Sequence, residues 1–386
     1  MGQTTAVPAL YPTTRSRTNT PVLVSAKTHR SYAFADNVRF LSMAAVVWMH
    51  CSHFETVVAV NPNPHLLWLA LQPFKFGTIG FFLISGFLMA ESMTRVAPLA
   101  YFKRRLRTVA LPWLIWFALD CSLWVFRDAV SGRFQHVASL RILSMILERV
   151  ADCFLLTSYW FVPNLLVSIC VILFFRRFLF DIRFGCALLL LSMFYGVNIY
   201  AHWIVTGHTE AIFGFVFYLW LGAWSWRNYE ILKEWLRKVP ITALVIALVS
   251  FAGLGICETW LLEHLGSSDS LNTLRITNQA FSILAVLTIV KIPTLRIPPA
   301  LNIRATTFGI YLLHPIIFGI FKYVTEPALS HLVGRPWGNG IVVFCMVWVA
   351  GFVLTYGVSL AISQILGSRP QYSWLVGQRA ARTSNS

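Results

Sequence analysis

VRFLSMAAVVWMHCSHF, residues 38–54, is apolar except for an arginine near its start and two histidines near its end. It reads as the first membrane helix. Arg39 and His50 are 11 positions apart, so at roughly 100° per residue they return to nearly one helix face, about 16 Å apart along the axis. Ionisable side chains are costly in lipid, and two on one face of a spanning helix mark a candidate site. Two readings stay open. Arg39 anchors the helix at the inner boundary while His50 bonds to a neighbouring helix; or His50 is a base in the membrane interior with Arg39 at its mouth. Asp36, three residues before Arg39, is placed to pair with it. His53 lies one turn beyond His50, but no third ligand is evident nearby and no metal is expected.

The rest of the chain extends this pattern. Its 386 residues are 57% hydrophobic and 12% charged, against about 25% charged in an average soluble domain. Apolar runs near 20 residues recur, which excludes a soluble globular protein. The expected fold class is an all-α polytopic membrane protein with about ten transmembrane helices in a single bundle. They are placed near 38–60, 75–92, 109–126, 158–175, 184–205, 210–226, 240–262, 277–292, 305–321 and 339–365. Residues 1–35, rich in Thr, Ser and Pro, read as a flexible cytoplasmic tail without a signal-peptide core. The membrane domain then covers 36–365, and 366–386 form a cytoplasmic C-terminal tail.

The net charge is +16. With no zinc-finger spacing and no basic helix with interleaved aromatics, nucleic acid is not the expected partner. The charge fits the positive-inside bias of membrane loops. A ten-helix layout with both termini inside puts most of the 31 basic residues on the cytoplasmic side. The cytoplasmic (inner) membrane is the expected location. Residues 127–157 read as an outer loop, and Gly266, Ser267 and Ser268 as part of another. The seven cysteines form no C-x-x-C pair and read as small buried residues without a disulfide framework.

Four further motifs carry chemistry. Lys103, Arg104, Arg105 and Arg107 precede Leu111-Pro112-Trp113. They read either as a topology signal or as a phosphate site on which Arg104 and Arg107, three apart, converge. In FFLISGF, residues 81–87, the small residues allow close helix approach, and Ser85 is placed to offer a hydrogen bond. Tyr159-Trp160-Phe161 fits an interfacial aromatic belt or a sugar-stacking platform. His314, in Tyr311-Leu312-Leu313-His314-Pro315, lies in the ninth helix beside a kinking proline. It reads either as packing or as lining the same cavity as His50.

Taken in order, Asp36…Arg39-x10-His50, FFLISGF, Arg104-x-x-Arg107, the Trp-Phe pair and FGIYLLHP resemble the acyltransferase-3 family of integral-membrane O-acyltransferases, from about residue 33 to 365. The resemblance implies an enzyme that transfers acyl groups other than amino-acyl groups. Acetyl-CoA is the usual donor, and the acceptor is a hydroxyl of a cell-surface or exported glycan (exopolysaccharide, O-antigen, peptidoglycan or lipid-linked sugar). It implies catalytic roles for Arg39 and His50 and donor binding by Arg104 and Arg107, with Asp36, Ser85, Tyr311 and His314 as supporting candidates. Direct transfer and an acyl-histidine relay both stay open. The acidic residue that members often carry near the start of FF-x-x-SGF has no counterpart at Thr78-Ile79-Gly80. The chain ends about 20 residues after its last expected span, without the fused esterase-like domain of some members. Expected partners are the acceptor, membrane lipids, and polysaccharide export or assembly proteins. The alternatives are a succinyl-CoA-dependent O-succinyltransferase and a transporter or flippase of glycan precursors. No internal repeat of the transporter kind is visible.

Overall fold

The computed structural model describes residues 32–54, 64–135, 137–292, 296–333 and 340–378. Most of the two expected tails, and Glu55, lie outside them. Among the described residues the regular structure is all helical, with no strand. A helix stands at each of the ten expected places: α1 (Ala33–Cys51), α3 (Gly77–Arg95), α5 (Leu111–Val130), α7 (Phe161–Phe174), α8 (Ile182–Ala201), α9 (Val216–Arg227), α11 (Ile241–His264), α12 (Ile276–Lys291), α13 (Ile303–Val333) and α14 (Gly340–Ser368). Four more helices lie between them: α2 (Pro64–Leu71), α4 (Pro98–Arg105), α6 (Ser139–Leu156) and α10 (Tyr229–Lys238).

Length and composition separate these helices. Six segments are long and apolar enough to cross a membrane, or seven if α6 and α7, bent by 68°, form one broken span. The helix α1 carries Asp36, Arg39 and His50, while α9 has 12 residues and α12 has 16. At 1.5 Å per residue, α9 is about 18 Å long, well short of a hydrocarbon core of about 30 Å. It survives because it is enclosed: Phe217, Tyr218, Leu219, Trp220 and Ala223 are all buried. It packs with α3, α7 and α8 in the largest apolar cluster. A second cluster joins Met43 and Val47 of α1 to Ile310 and Leu312 of α13 and Trp348 of α14.

The expected outer loop at 127–157 is instead largely α6. Its charges had concealed an amphipathic helix. Arg149 pairs with Asp128 at the end of α5 at 2.5 Å, and Cys153 packs into the bundle while Leu140 and Leu147 stay exposed. Asp120, buried on α5, accepts a weak hydrogen bond from the Cys153 thiol at 3.7 Å. The cysteines also divide. Cys51, Cys121 and Cys153 are buried as expected, whereas Cys170, Cys186, Cys257 and Cys345 face outward, and all seven are free thiols.

Residues 375–378 are fixed to the bundle. Trp116 of α5 donates to the Leu375 carbonyl at 2.9 Å, and Gln378 donates to the Ala305 carbonyl on α13 at 3.0 Å. Gly377 makes the turn between them with φ +72°, where a Cβ would also strike the Phe308 ring.

The small residues of FFLISGF serve packing. A Cβ on Gly86 would lie 1.9 Å from the Leu219 carbonyl oxygen, and one on Gly222 of α9 would lie 2.0 Å from that of Leu83. Backbone thus meets backbone between α3 and α9. Gly222→Ala is expected to destabilise by at least the ~1–3 kcal/mol of an overpacked core. Gly253→Ala on α11, where a Cβ meets nothing within 4 Å, should be neutral or gain up to ~1 kcal/mol of helix propensity. Thermal unfolding of both variants in detergent checks this, and equal melting temperatures would contradict the close approach.

Candidate functional site

Two parallel helices, α1 and α13, build the site. Both begin at one end of the bundle with charge. The Asp36 carboxylate accepts from Arg39 Nη1 at 3.3 Å, from Arg304 Nε at 3.0 Å and from Arg304 Nη2 at 2.9 Å. Three turns further along, the His50 ring lies 5.3 Å from the His314 ring, centroid to centroid, and 6.3 Å from His53. Beyond that, Lys322 donates to the His53 carbonyl at 3.3 Å. Asp36, His50 and His53 therefore meet Arg304, His314 and Lys322 in the same order, which fixes the register of the two helices.

The two histidines differ. His50 is half-buried, and His314 is fully buried. His314 Nδ1 lies 3.1 Å from the Ile310 carbonyl. A carbonyl only accepts, so Nδ1 carries the hydrogen and Nε2 of the neutral ring is a bare acceptor. No partner for that Nε2 exists among the described residues. Of the buried polar atoms without a partner among the described residues, this is the one imidazole nitrogen. Tyr311 and Tyr159 hold this stretch of α13. The Tyr311 hydroxyl donates to the Ser158 carbonyl at 2.6 Å, and the Tyr159 hydroxyl to the Leu312 carbonyl at 3.1 Å.

Beside this pair lies a second histidine site that sequence reasoning missed. His208 Nδ1 is 2.6 Å from Asp269 Oδ2, which also accepts from Asn272 at 3.0 Å. Burial alone pushes the Asp269 carboxyl up, but the His208 ring and its hydrogen bonds, with the Lys75 ammonium, outweigh it and hold the group at about 2. The carboxylate orients the ring and leaves Nε2 for chemistry. The edge-to-face Trp160 ring, 5.3 Å away, braces it. A chain of ring contacts, Trp160, Phe161 and Tyr311, runs from His208 to His314. Residues 208 and 269 occupy separate loops, and no motif in the sequence links them.

The arginine pair sits at the charged end. Gly377 packs between Phe308 of α13 and the Thr108 carbonyl, which brings the 104–108 segment to the start of α13. A π-helical turn, Leu106–Ala110, follows α4. Pro112 cannot donate to the Thr108 carbonyl, and the widened turn absorbs that defect. The turn rotates Arg107 further from Arg104 than an α-turn would. Arg104 lies over the Tyr101 ring at 5.3 Å, beside Arg105, whose Nε donates to the Tyr101 hydroxyl at 3.0 Å. Arg107 is exposed. Ser85 is half-buried on α3 and makes no side-chain hydrogen bond among the described residues. Among those residues, no three His, Cys, Asp or Glu side chains converge to hold a metal.

The family described as "Acyltransferase domain" matches residues 32–364. The chain belongs to the acyltransferase-3 family. That match spans both histidine sites and both arginine groups, and it makes the protein a membrane acyltransferase. No curated protein and no solved structure matches it significantly.

Asp269→Asn should loosen the His208 loop. Loss of a charge-assisted hydrogen bond costs about 1.5–3 kcal/mol, read as a lower melting temperature than the wild type. The carboxyl is held below its ordinary value of 3.8, so its contribution is present above that value and lost as pH falls through about 2. The difference from wild type is therefore expected at pH 5 as well as at pH 7. A difference that vanished by pH 5 would contradict the ionised clamp.

Proposed function

We propose that this protein moves an acetyl group from acetyl-CoA to a hydroxyl of a cell-surface or exported glycan. It does so in the cytoplasmic membrane, with both termini on the cytoplasmic side. The observation that carries this reading is the axial separation on α1: the Asp36–Arg39–Arg304 cluster at one end and the facing His50 and His314 rings about 16 Å further along. Donor and acceptor chemistry require different environments. The phosphates of a nucleotide-bearing donor call for guanidinium groups at a wet boundary. The hydroxyl calls for a base shielded from water.

In this reading Arg104 and Arg107, with Arg39 at the mouth, receive the donor phosphates. The thioester reaches along α1 to His50. The acceptor hydroxyl gives its proton to the His50 imidazole as its oxygen attacks the thioester carbonyl; the C–S bond breaks and the departing thiolate takes up the proton. His314 Nε2, the orphaned acceptor, accepts from a neighbouring hydroxyl of the acceptor and so positions the one that attacks. Two imidazolium rings 5.3 Å apart would repel, so the pair handles one proton at a time. Trp160 and His208 lie where the sugar would rest.

His50→Ala should reduce acetyl transfer by roughly 10²–10⁴-fold, as for a lost general base, with normal insertion and accumulation. Retained glycan acetylation, measured by NMR of the surface polysaccharide, would remove His50 from the chemistry. Replacing both Arg104 and Arg107 by Lys keeps the charge but removes the planar fork. Acetyl-CoA affinity should fall roughly 10- to 150-fold with topology unchanged. Wild-type affinity in that variant would leave the cluster as a topology signal. A reporter fused to the C-terminus should be active only in its cytoplasmic form.

A further inference from the structure

At the end of the bundle where α1 begins, α1, α3, α9, α10 and α12 enclose a cavity of about 660 Å³. That size lies within the range of about 300–1,000 Å³ typical of small-molecule sites. It is separate from the histidine pair. Its walls are apolar, with Leu83 and Phe87 of α3 facing Ile283 and Val286 of α12. Its rim is basic. Lys233 and Arg237, four apart on one face of α10, line one side, Arg237 paired with Glu234 at 2.8 and 3.0 Å, and Lys291 at the end of α12 lines the other. Lys291 donates to the Leu236 and Arg237 carbonyls at 2.7 and 2.9 Å, which straps α10 across the opening. Exposed Ile231 and Trp235 give α10 the character of a helix lying at a membrane surface. One buried polar group faces this space: Asn37, 5% exposed, lines the cavity, and its carboxamide has no hydrogen-bond partner among the described residues.

We propose that this cavity binds an anionic phospholipid drawn from the leaflet at the α1 end. The acyl chains lie between α3 and α12, the phosphate meets Lys233 and Arg237, and Asn37 donates to an ester carbonyl. Charge decides among occupants. A zwitterionic lipid would fill the walls and leave Lys233 without a counter-charge. Basic pockets between membrane helices favour anionic head groups for this reason.

The test is native mass spectrometry of the delipidated full-length protein in detergent, titrated with phosphatidylglycerol, phosphatidylcholine or palmitoyl-CoA. The wild type should retain one phosphatidylglycerol in preference to phosphatidylcholine. Lys233→Gln with Arg237→Gln should weaken retention about 30-fold, the loss of two surface charge contacts. Both residues are exposed, so these changes spare the core, and monodisperse elution confirms folding. Val286→Trp, which fills the cavity, should abolish specific retention. Equal retention of the two phospholipids, or retention unchanged in both variants, overturns the proposal. So does stoichiometric displacement by palmitoyl-CoA, which would make the cavity a donor site. Because the readout is lipid retention, failure here leaves the acetyl-transfer reading intact.

Discussion

A carboxylate shared by two guanidinium groups sets the geometry of this protein. Asp36 accepts from Arg39 on its own helix and from Arg304 on α13. Three charged groups at a membrane boundary are tolerable only when paired and hydrogen-bonded. The pairing has a mechanical result. It pins the starts of two parallel helices, and at 1.5 Å per residue the 14 positions from Asp36 to His50 and the 10 from Arg304 to His314 bring the rings to similar heights. The difference of four residues, one turn, is taken up by the offset of the two starts. A slip of α13 by one turn would replace His314 opposite His50 with Ile310 or Phe318. The facing histidines are thus a consequence of the ion cluster at the other end.

A second fixed point holds the opposite half. Arg275 is fully buried, and its guanidinium donates to the carbonyls of Asn272 and Gly255, to Thr259 and to the Gln72 carboxamide. Glu258, nearby, accepts the first backbone N–H groups of α12 from Ile276 and Thr277. That caps α12 with a negative group at its positive end. The loop between α11 and α12 is held by its last residue, and Asp269 is presented to His208 on that loop. Removing one partner from such a network leaves a buried charge without compensation, which costs more than the pair contributes.

Much of this was legible in the sequence. Arg39, His50 and Asp36 were readable because helical spacing is local: 11 and 3 positions fix a face without knowing what lies opposite. His314 was readable because an ionisable ring in an apolar run is costly to leave facing lipid, although the proline beside it is carried inside a continuous helix. What the sequence hid was non-local or disguised. His208 and Asp269 meet across 61 positions through two loops. The helix α6 was hidden because Arg141, Glu148, Arg149 and Asp152 suppress its hydropathy, although their partners are Asp128 and one another. The π-turn at Leu106–Ala110 was hidden for a different reason. Pro112 announces a defect in the ladder, but only packing against Gly377 decides how the chain absorbs it.

The short helix α9 links the architecture to the cavity beneath it. Twelve residues cover about 18 Å, so α9 ends well inside the thickness that its neighbours cross. Its contact with α3 is backbone to backbone at Gly86 and Gly222, which places it too close to be replaced by a bulkier helix. Where α9 stops, at Arg227, the chain turns and α10 runs beneath the bundle, tied to α12 through Lys291. The last turns of α9, through Leu221, Trp224 and Ser225, form one wall of the cavity beside Leu83 and Phe87, and α10 closes the side below them. The cavity's basic rim follows, because a helix at a membrane surface carries its lysines and arginines toward the head groups.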